Sequence, residues 1–374
     1  MWPIALKTLI ADRGKLLTAL VGVVFSIVLV NVQGGLFLGF ITKAGLLVDN
    51  GKADIWIGHK EMHNVDFPRD IPRRWLNRVR GIAGVERAQP YLIGWSDMTL
   101  PSGGFEQVVV VGVERESLLG NVWNMKRGRA DAILKTDGII VDECELAKLE
   151  FPEMNEVREL GGRRARVVGM SHGVMGFLVA PYIFTTFDRA AQYLQKTPAA
   201  CSYILVQLSD GADVRQVCSV IERRMPEAEI YTRDVFSAIS TDFWMTRTGL
   251  GISFGAATLL GLLVGLVMVA ETMYAMVLDR LGEYGTLKAI GATEKQILSI
   301  LLIQALIMAV AGAICGLAMV SLVQYAFSTP RAPIIIPYWL SLGGCLLVLC
   351  ICLLSSLLPY LRIRKVDPQT VLQS

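Results

Sequence analysis

The chain has 374 residues, of which 53% are hydrophobic and 18% are charged, whereas an average soluble domain is about 45–50% apolar and about 25% charged. This balance excludes a wholly soluble enzyme, a disordered chain and a disulfide-dense secreted scaffold. The formal net charge is only +3. Because a nucleic-acid surface needs Lys and Arg clustered beside aromatic residues, we expect no nucleic-acid partner.

Four long segments of the sequence contain no Asp, Glu, Lys or Arg. Each is longer than the roughly 18 apolar residues that indicate a membrane span. The first is also too long for the apolar part of a cleaved signal peptide, so we interpret it as a retained signal anchor. The four segments cover residues 16–42, 248–270, 296–330 and 332–361.

The short segments around these spans differ in basic charge. Arg331 is alone in one short loop, whereas nine Lys or Arg residues lie in the two ends and in the loop near residue 280. Because cytoplasmic loops carry the excess of Lys and Arg, we predict that both termini and the 279–295 loop are cytoplasmic. The nine are Lys7, Arg13, Lys15, Arg280, Lys288, Lys295, Arg362, Arg364 and Lys365.

The segment between the first two spans is large enough to fold as a domain of its own. Apolar residues at helical spacing predict a helix over 213–225, with Asp213 as its cap. β-Branched runs bounded by Gly, Pro or Asp predict strands at 106–113, 164–170, 182–187 and 202–208. The predicted fold class is an α-helical membrane protein with four transmembrane helices and a large α+β extracytoplasmic domain inserted between the first and the second.

The boundaries of the predicted segments follow from these patterns. Residues 1–15 form either an amphipathic helix in the inner interface or a ragged start to the first span. The predicted order is a cytoplasmic interfacial segment (1–15), transmembrane helix 1 (16–42), the extracytoplasmic domain (43–247), transmembrane helix 2 (248–278), a cytoplasmic coupling loop (279–295), transmembrane helix 3 (296–327), a short outer loop (328–338), transmembrane helix 4 (339–361) and a cytoplasmic tail (362–374).

Four G-x-x-x-G pairs occur in the first three spans. This spacing lets two helix backbones approach closely, which favours helix association without a hydrophobic driving force. The sequence therefore predicts tight helix packing at Gly35, Gly39, Gly251, Gly255, Gly261, Gly265, Gly312 and Gly316.

Residues 169–173 read GMSHG and match the G-x-S-x-G pattern of a serine hydrolase. That order of catalytic residues requires a histidine after the serine, but His172 is the last histidine of the chain. We therefore expect a glycine-rich turn here. A membrane-anchored esterase that uses Ser171 with His59 or His63 is the remaining alternative.

Two further polar features have both a functional and a structural interpretation. His59, Glu61 and His63 alternate, as metal ligands on one strand face would, but their segment is typical of a loop and no fourth ligand is visible. Glu271, at the inner end of the second span, is either a proton-relay residue or an interfacial side chain. We predict no metal site and no catalytic residue.

Neither the cysteines nor a nucleotide-binding motif indicates a catalytic function for this chain. Cys144, Cys201 and Cys218 are odd in number outside the spans, and we predict no disulfide among them. The sequence contains no G-x-x-x-x-G-K-[ST] motif, so this chain has no phosphate-cradling P-loop of its own. We expect no cofactor on this chain and expect ATP and Mg to be bound by another polypeptide.

The loop between the second and third spans is the most informative segment, and residues 279–293 read DRLGEYGTLKAIGAT. Its glycines permit tight turns, while Leu281, Leu287 and Ile290 are available to enter a groove. These properties predict a docking element for a cytoplasmic partner; the alternative is a simple connector.

This loop resembles the R-x-x-E-x-G-x-L-K-A-x-G-A signature of the FtsX, LolC and MacB superfamily of ABC transporter permeases. The matching residues are Arg280, Glu283, Gly285, Leu287, Lys288, Ala289, Gly291 and Ala292. Residues 9–22 and 364–372 are similar to the start and the end of the family, and residues 81–90 resemble the opening of its MacB-type periplasmic core domain. The sequence of the loop looks most like that of DevC-type permeases, which are associated with export of glycolipids and other envelope compounds.

The resemblance implies a multi-pass protein of the bacterial inner membrane, with residues 43–247 in the periplasm. It implies a separate ABC ATPase and a second permease copy, with a homodimer favoured. It also implies a periplasmic membrane-fusion adaptor and, as a further candidate, an outer-membrane channel. ATPase coupling is expected at Arg280, Leu281, Glu283, Gly285, Leu287, Lys288, Ile290 and Gly291.

Two functions are compatible with this resemblance. In the first, the chain is the non-catalytic permease of an exporter of a lipid, a glycolipid or another envelope compound, and the ATPase moves the outer domain mechanically through the first two spans. In the second, the same motion activates an extracytoplasmic hydrolase, as the resemblance to FtsX allows.

Overall fold

The computed structural model describes residues 5, 6, 9, 11, 13–178, 180–279 and 281–364. Within them, four helical segments are long and apolar enough to cross a membrane: α1, α7, α9 and α10, the last continuing into α11 as far as Leu361. The helices are α1 (Arg13–Ala44), α2 (Leu46–Asn50), α3 (Leu76–Arg80), α4 (Phe187–Tyr193), α5 (Val214–Arg224), α6 (Arg233–Arg247), α7 (Leu250–Asp279), α8 (Leu281–Ala289), α9 (Glu294–Phe327), α10 (Tyr338–Ser355) and α11 (Leu357–Arg364).

The chain divides into two compact units. Residues 1–39 and 250–374 form the membrane unit, which contains the long apolar helices, and residues 40–249 form the outer unit. The outer unit contains the strands and is inserted between the first and the second membrane helix. The fold class predicted from the sequence is therefore confirmed.

Apolar side chains from all four membrane segments form one core inside the membrane unit. Because lipid is as apolar as these side chains, close packing and hydrogen bonds hold such helices together. Core members include Val23, Ile27, Val269, Met273, Leu301, Met308, Val348 and Cys352.

One end of the membrane unit is fixed by polar contacts between helices, and we call it the Lys15 end. Lys15 near the start of α1 forms an ion pair with Asp279 at the end of α7. Lys288 in α8 donates a hydrogen bond from Nζ to the carbonyl oxygen of Ile363 in α11, at 2.8 Å. The first helix, the α7–α9 connection and α11 therefore meet at this end.

The opposite end contains the connection between α9 and α10. The backbone N–H of Ile335 donates to the carbonyl oxygen of Gly35 at 3.0 Å. The side chain of Gln324 donates to the carbonyl oxygen of Ile334 at 2.9 Å. These bonds tie residues 328–337 to α1 and α9, at the end from which the chain leaves for the outer unit.

The outer unit is built on one sheet of ten strands, with a separate pair formed by β2 and β10. The strands are β1 (Ile55–His59), β2 (Ile71–Pro72), β3 (Val85–Thr99), β4 (Phe105–Val113), β5 (Met125–Arg127), β6 (Gly138–Asp142), β7 (Val157–Leu160), β8 (Arg163–Ser171), β9 (Tyr182–Thr186), β10 (Ala200–Cys201), β11 (Tyr203–Leu208) and β12 (Ala228–Thr232).

The long strand β3 joins the two halves of this sheet. The sheet order is β12-β1-β11-β3-β4-β9-β6-β8-β5, and β7 pairs with β3 and β8. The first part of β3, residues 85–91, pairs with β11, whereas residues 92–99 pair with β4. The strand β3 is not among the predicted strands, because Glu86, Arg87 and Pro90 interrupt its apolar pattern.

Helices cover both faces of the sheet. On one face, Leu76 of α3, Ala190 of α4 and Ile221 of α5 join the apolar core. On the other face, Leu47 of α2 and Phe236 of α6 pack around Trp56 and its aromatic neighbours. Each face of the sheet is therefore buried, which explains why several of its strands are almost wholly apolar.

The strand and helix predictions for the outer unit are confirmed in position and differ at their ends. The four predicted strands correspond to β4, β8, β9 and β11, and the predicted helix to α5. Asp213 caps α5, since its side chain accepts a hydrogen bond from the Arg215 N–H. Phe187 was assigned to a strand, but it begins α4 because the preceding Thr186 ends β9.

A carboxyl group is buried within the outer unit. Asp66 is 3% exposed and accepts a 2.7 Å hydrogen bond from the Tyr182 hydroxyl. Burial raises the pKa of Asp66 to about 6, although the hydrogen bond from Tyr182 acts in the opposite direction. The fold therefore favours the neutral form of this side chain.

This burial predicts a pH-dependent contribution to stability. Asp66 stays protonated up to about pH 6 in the folded chain, but only up to about pH 4 in the unfolded chain. The stability that the neutral carboxyl contributes is present below about pH 4 and is lost as the pH rises to about 6, by about 3 kcal/mol. Urea unfolding of wild type and Asp66→Asn, followed by tryptophan fluorescence, should show this difference. Parallel pH profiles of the two proteins would contradict it.

Candidate functional site

The short helix α8 lies between the second and third membrane helices. It ends in a Schellman motif, in which Ala292 N–H donates to the Leu287 carbonyl and Gly291 N–H to the Lys288 carbonyl. Gly291 has a φ of +102°, a conformation that glycine adopts without strain. Thr293 then begins α9 with a capping box to Gln296. The connection between α7 and α9 is therefore an ordered helical hairpin.

One face of α8 is anchored in the membrane unit. Tyr284 is 5% exposed and belongs to the apolar core. Gly285 is buried beside it, and the half-buried Leu287 packs against the same core. Lys288 is held by its bond to Ile363. This face fixes the position of the helix.

The opposite face of α8 and the turn after it are exposed. Glu283, Thr286 and Ile290 follow each other at i, i+3 and i+7, so they share one side. Ile290 is 79% exposed, so this side of the hairpin presents a large aliphatic side chain. A partner that covers this stripe would remove the Ile290 side chain from water.

The structure places the predicted coupling residues unequally. Arg280 and the side chain of Leu281 lie outside the described residues. Glu283, Ile290 and Gly291 are on the accessible side, whereas Gly285, Leu287 and Lys288 face the membrane unit. Leu287 was expected to be available to a partner groove, but its packing on the core limits that access.

Tyr284 was not recognised in the sequence, although it anchors α8. Its signal was available, because Tyr284 and Leu287 continue the apolar spacing of Met273 and Val277 beyond the end of α7. The intervening Asp279 and the glycines made the segment resemble a connector, so the apolar period was not extended across it.

The glycines of α7 and α9 pack against α1. A Cβ placed on Gly265 would lie 1.7 Å from Ser26 Oγ, and one on Gly312 would lie 2.3 Å from a methyl group of Val23. The Ser26 hydroxyl also donates to the carbonyl oxygen of Gly261 at 3.2 Å. Gly316 similarly faces Ile27. At these positions a side chain would separate the helices.

The remaining two glycine pairs have different surroundings. Gly35 and Gly39 of α1 face residues 333–336 of the α9–α10 connection, and a Cβ on Gly39 would overlap the Pro333 carbonyl oxygen. These two glycines therefore pack against extended chain rather than against a helix. Gly255, the partner of Gly251, has no atom within 4 Å of its added Cβ in the described chain.

The serine of the G-x-S-x-G pattern has a structural role. Ser171 is 1% exposed, and its hydroxyl donates to Asp142 Oδ2 at 2.8 Å. Asp142 also accepts the backbone N–H groups of Cys144, Gly173 and Val174. The described residues provide no histidine contact to Ser171 Oγ, so the hydroxyl orders a turn.

The other polar candidates are also dispersed. His59 ends β1 and contacts the Lys60 carbonyl through Nδ1 at 2.8 Å. In the described part of the chain, no group of three or more His, Cys, Asp or Glu side chains is placed to hold a metal ion. Cys144 lies 3.6 Å from His172 Nδ1, and burial raises the pKa of its thiol. Glu271 is exposed on α7.

Comparison with known proteins gives matches in both units. The family model described as FtsX-like permease C-terminal matches residues 255–368. The macrolide export ATP-binding/permease protein MacB 1/2 of Paracoccus denitrificans (strain Pd 1222) is 28% identical over 300 residues, which are 74% of this chain and 43% of that protein. The putative hemin transport system permease protein HrtB of Staphylococcus haemolyticus (strain JCSC1435) is 30% identical over 106 residues, 27% of this chain and 29% of that protein. The chain thus spans less than half the length of these curated relatives.

Solved structures also match the chain at low sequence identity. The periplasmic region of MacB from Actinobacillus actinomycetemcomitans has a TM-score of 0.40 and 11% identity, and the match covers 52% of this chain and 96% of that one. The extracellular domain of the transporter YknZ from Gram-positive bacteria has a TM-score of 0.35 and 11% identity, with 48% and 98% covered.

The glycine contacts predict which substitutions the membrane unit tolerates. Gly265→Leu should destabilise the unit by about 2 kcal/mol or more, because the new side chain collides with Ser26. Gly255→Leu is the matched control, since its Cβ meets open space. Thermal unfolding of the purified monomers measures both effects. Equal melting temperatures for the two variants would contradict the packing described here.

Proposed function

We propose that this chain is the permease subunit of an ATP-driven exporter, because residues 255–368 match the FtsX-like permease C-terminal model and the loop after the second span resembles the signature of the FtsX, LolC and MacB superfamily. In this proposal a separate ATPase docks on the hairpin formed by α8 and residues 290–293. The ATPase moves the hairpin, and the membrane helices transmit that motion to the outer unit. This chain itself performs no catalysis.

The exposed stripe on α8 is the observation that carries the proposal. Ile290 is 79% exposed on a helical hairpin whose other face is fixed by Tyr284, so it offers a partner an apolar contact at a fixed position. A force applied to the accessible face of an anchored helix reaches the helix bundle, because the buried contacts of the other face prevent the helix from reorienting on its own.

The helix α1 provides a route for that motion. It runs without interruption from Arg13 to Ala44, and 32 helical residues span about 48 Å, against about 30 Å for the hydrocarbon core of a bilayer. Its start is tied to α7 by the Lys15–Asp279 ion pair, so motion of the hairpin reaches it. Its end belongs to the outer unit.

The connection from the outer unit back to the membrane unit is interrupted, whereas α1 is one continuous helix. The helices α6 and α7 are separated by Thr248 and Gly249, and Gly249 has a φ of +69°. A glycine in this conformation breaks the helix and lets the two segments change their mutual angle at low cost. In our mechanism α1 drives the outer unit, while the Gly249 joint allows α7 to follow.

The proposed cargo is a lipid, a glycolipid or another envelope compound, handled from the outer side of the membrane. The membrane spans contain almost no charged side chains, which fits a mechanism without a polar channel through the bundle. The proposed setting is the inner membrane, with the Lys15 end in the cytoplasm, because that end contains the excess of Lys and Arg.

The exporter is proposed to contain two copies of this chain together with a periplasmic adaptor and, beyond it, an outer-membrane channel. A surface for the second copy is available on α7 at Gly255, the second glycine of the Gly251–Gly255 G-x-x-x-G pair, which is exposed and has open space at its added Cβ in the described chain. Such pairs let helices of two chains approach closely.

Coupling can be tested with one substitution on the exposed stripe. Ile290→Asp should reduce ATP hydrolysis stimulated by the permease about tenfold or more, because docking would bury a charge in place of an aliphatic side chain. Ile290→Val keeps the surface apolar and should retain stimulation. Both variants are to be reconstituted with the ATPase in vesicles, with transfer of a labelled glycolipid as a second measurement.

The two measurements separate the possible results. Loss of stimulated hydrolysis together with loss of glycolipid transfer supports the exporter. Stimulated hydrolysis without any transfer by the wild-type complex would favour regulation of an extracytoplasmic hydrolase instead. Unchanged hydrolysis in Ile290→Asp would refute the docking assignment.

The dimer prediction uses the open glycine pair. In membranes, a cysteine introduced in the variant Gly255→Cys should form a disulfide between two copies under mild oxidation, whereas Gly265→Cys should not, because Gly265 faces Ser26 within one chain. Because Cys315 and Cys350 are also exposed, the native cysteines are first replaced by serine or alanine. A monomer band for both variants on non-reducing gels would contradict a dimer through this face.

A further inference from the structure

A polar cleft crosses the outer unit beside the first half of β3. It consists of three cavities of about 520, 390 and 360 Å³ that share lining residues. Arg80 lines the first and the second cavity, and Arg87 and Ser117 line the second and the third. We refer to these three joined cavities as the arginine cleft. None of the predicted coupling residues or of the glycines of the G-x-x-x-G pairs lines it.

Cations outnumber carboxylates along the arginine cleft. Glu86 and Glu116 line its middle cavity, whereas the cationic lining residues are Lys52, Arg73, Arg74, Arg80 and Arg87. The net charge of the lining is therefore positive, which favours a ligand with negative charge.

Several of these cations have no carboxylate partner. Within the described residues, Lys52 and Arg74 form no ion pair, and Arg80 contacts only a backbone oxygen, through Nε to the Ala88 carbonyl at 3.2 Å. Arg87 meets Glu86 at 3.4 Å with both side chains about half exposed, a contact of little energy. Among the cations of the cleft, Arg73 is the one with a close carboxylate partner in the described part of the chain, Glu114 at 2.9 Å. The guanidinium groups therefore keep donor capacity for a ligand.

Two amide side chains in the cleft indicate that its ligand must offer hydrogen-bond donors as well as negative charge. Gln89 lines the middle cavity and is 4% exposed, and its Oε1 has no hydrogen-bond partner among the described residues. Asn121 lines the third cavity; its Nδ2 donates to the Ala130 carbonyl at 2.9 Å, while its Oδ1 has no partner within the same residues. A buried acceptor without a donor is unfavourable, because it has given up its hydrogen bond to water and gained none in return. A ligand that carries donors as well as negative charge would satisfy these oxygens, and an inorganic anion would not.

The backbone beside the cleft is unsuited to an added peptide strand. Residues 85–91 of β3 pair with β11 on one side, and no described strand pairs with them on the other. That open edge is unsuited to pairing with a further strand, because Pro90 has no N–H group and the Ala88 carbonyl already accepts a hydrogen bond from Arg80. Recognition in this cleft must therefore come from side chains rather than from strand addition.

An aromatic ring completes the third cavity. Trp123 lines it, and its indole is held by an edge-to-face contact with Phe184 at 6.0 Å. A ring that is fixed on one side and accessible on the other offers a flat apolar face, and Leu118 and Ala130 line the same cavity. A sugar ring can lie against such a face while its hydroxyl groups reach the polar side chains beside it.

We propose that the arginine cleft binds an acidic saccharide. Its carboxylate or phosphate groups pair with Arg74, Arg80 and Arg87, its hydroxyl groups donate to Gln89 and Asn121, and one ring lies against Trp123. The sugar belongs either to a soluble chain or to the head group of a lipid, and both present the same chemistry. This inference concerns the outer unit alone and does not depend on an ATPase.

Binding is tested on the full chain in phospholipid nanodiscs, because glycoside detergents would compete for the site. Isothermal titration calorimetry compares three soluble probes: an oligogalacturonate hexamer, maltohexaose and a glutamate hexapeptide. We expect the acidic hexasaccharide to bind at least about tenfold more tightly than either of the others, since only it combines charge with hydroxyl donors.

Variants locate the binding in the cleft. Arg87→Gln and Arg74→Gln change exposed side chains and should each weaken hexasaccharide binding about tenfold. Arg163→Gln removes a cation of the β7–β8 turn, outside the cleft, and should bind as wild type does. Gln89→Leu removes the buried amide and should weaken the hexasaccharide selectively, and its melting temperature reports whether the outer unit remains folded.

The source of the sugar is resolved by competition. Displacement of the hexasaccharide by glucuronosyl diacylglycerol placed in the nanodisc bilayer indicates a lipid head group, and failure to displace it indicates a soluble chain. Equal affinity for the glutamate peptide, absence of any binding at millimolar hexasaccharide, or an equal loss in Arg163→Gln would each overturn the proposal.

Discussion

The close approach of α1 to its neighbours is the constraint on which the rest of the molecule depends. In a bilayer, apolar side chains gain little by leaving lipid, so helices are held by contact at short range and by hydrogen bonds. Glycines at 261, 265, 312 and 316 remove the side chains that would keep α7 and α9 away from α1. The Ser26 hydroxyl then reaches a carbonyl of the facing helix.

This packing makes α1 a rigid element shared by both units. Because it is in contact with α7 and α9 along its length, its position follows the bundle. The same helix continues into the outer unit, while the return path is interrupted at Gly249. In the proposed mechanism the continuous helix α1 transmits motion to the outer unit, and the interruption at Gly249 allows α7 to follow.

The short helix α8 shows how a surface becomes functional by being fixed from behind. Tyr284 gives it a buried anchor, and the Lys288 bond to α11 prevents rotation. Exposure of Ile290 would be of little interest on a mobile loop. On an anchored helix it defines a surface with a constant position, so that a partner can both recognise it and push against it.

Sequence alone indicated the membrane spans and the insertion of an α+β domain between the first two of them, and it predicted a coupling loop at residues 279–295. Absence of charge over long segments has one physical explanation in a bilayer, and apolar periods are local properties of the chain. Asp213 capping α5 and the strands β4, β8, β9 and β11 were also within reach, because their signals span fewer than a dozen residues.

Tertiary structure alone decided which side of each element is accessible. The sequence made Leu287 and Ile290 equivalent, yet Leu287 packs on the core and Ile290 does not. The first half of β3 was hidden because its partner β11 lies more than a hundred residues away, and that pairing tolerates Glu86 and Pro90 at an open edge. Burial, strand pairing and clefts arise from contacts between residues that are distant in sequence, so no local sequence pattern encodes them.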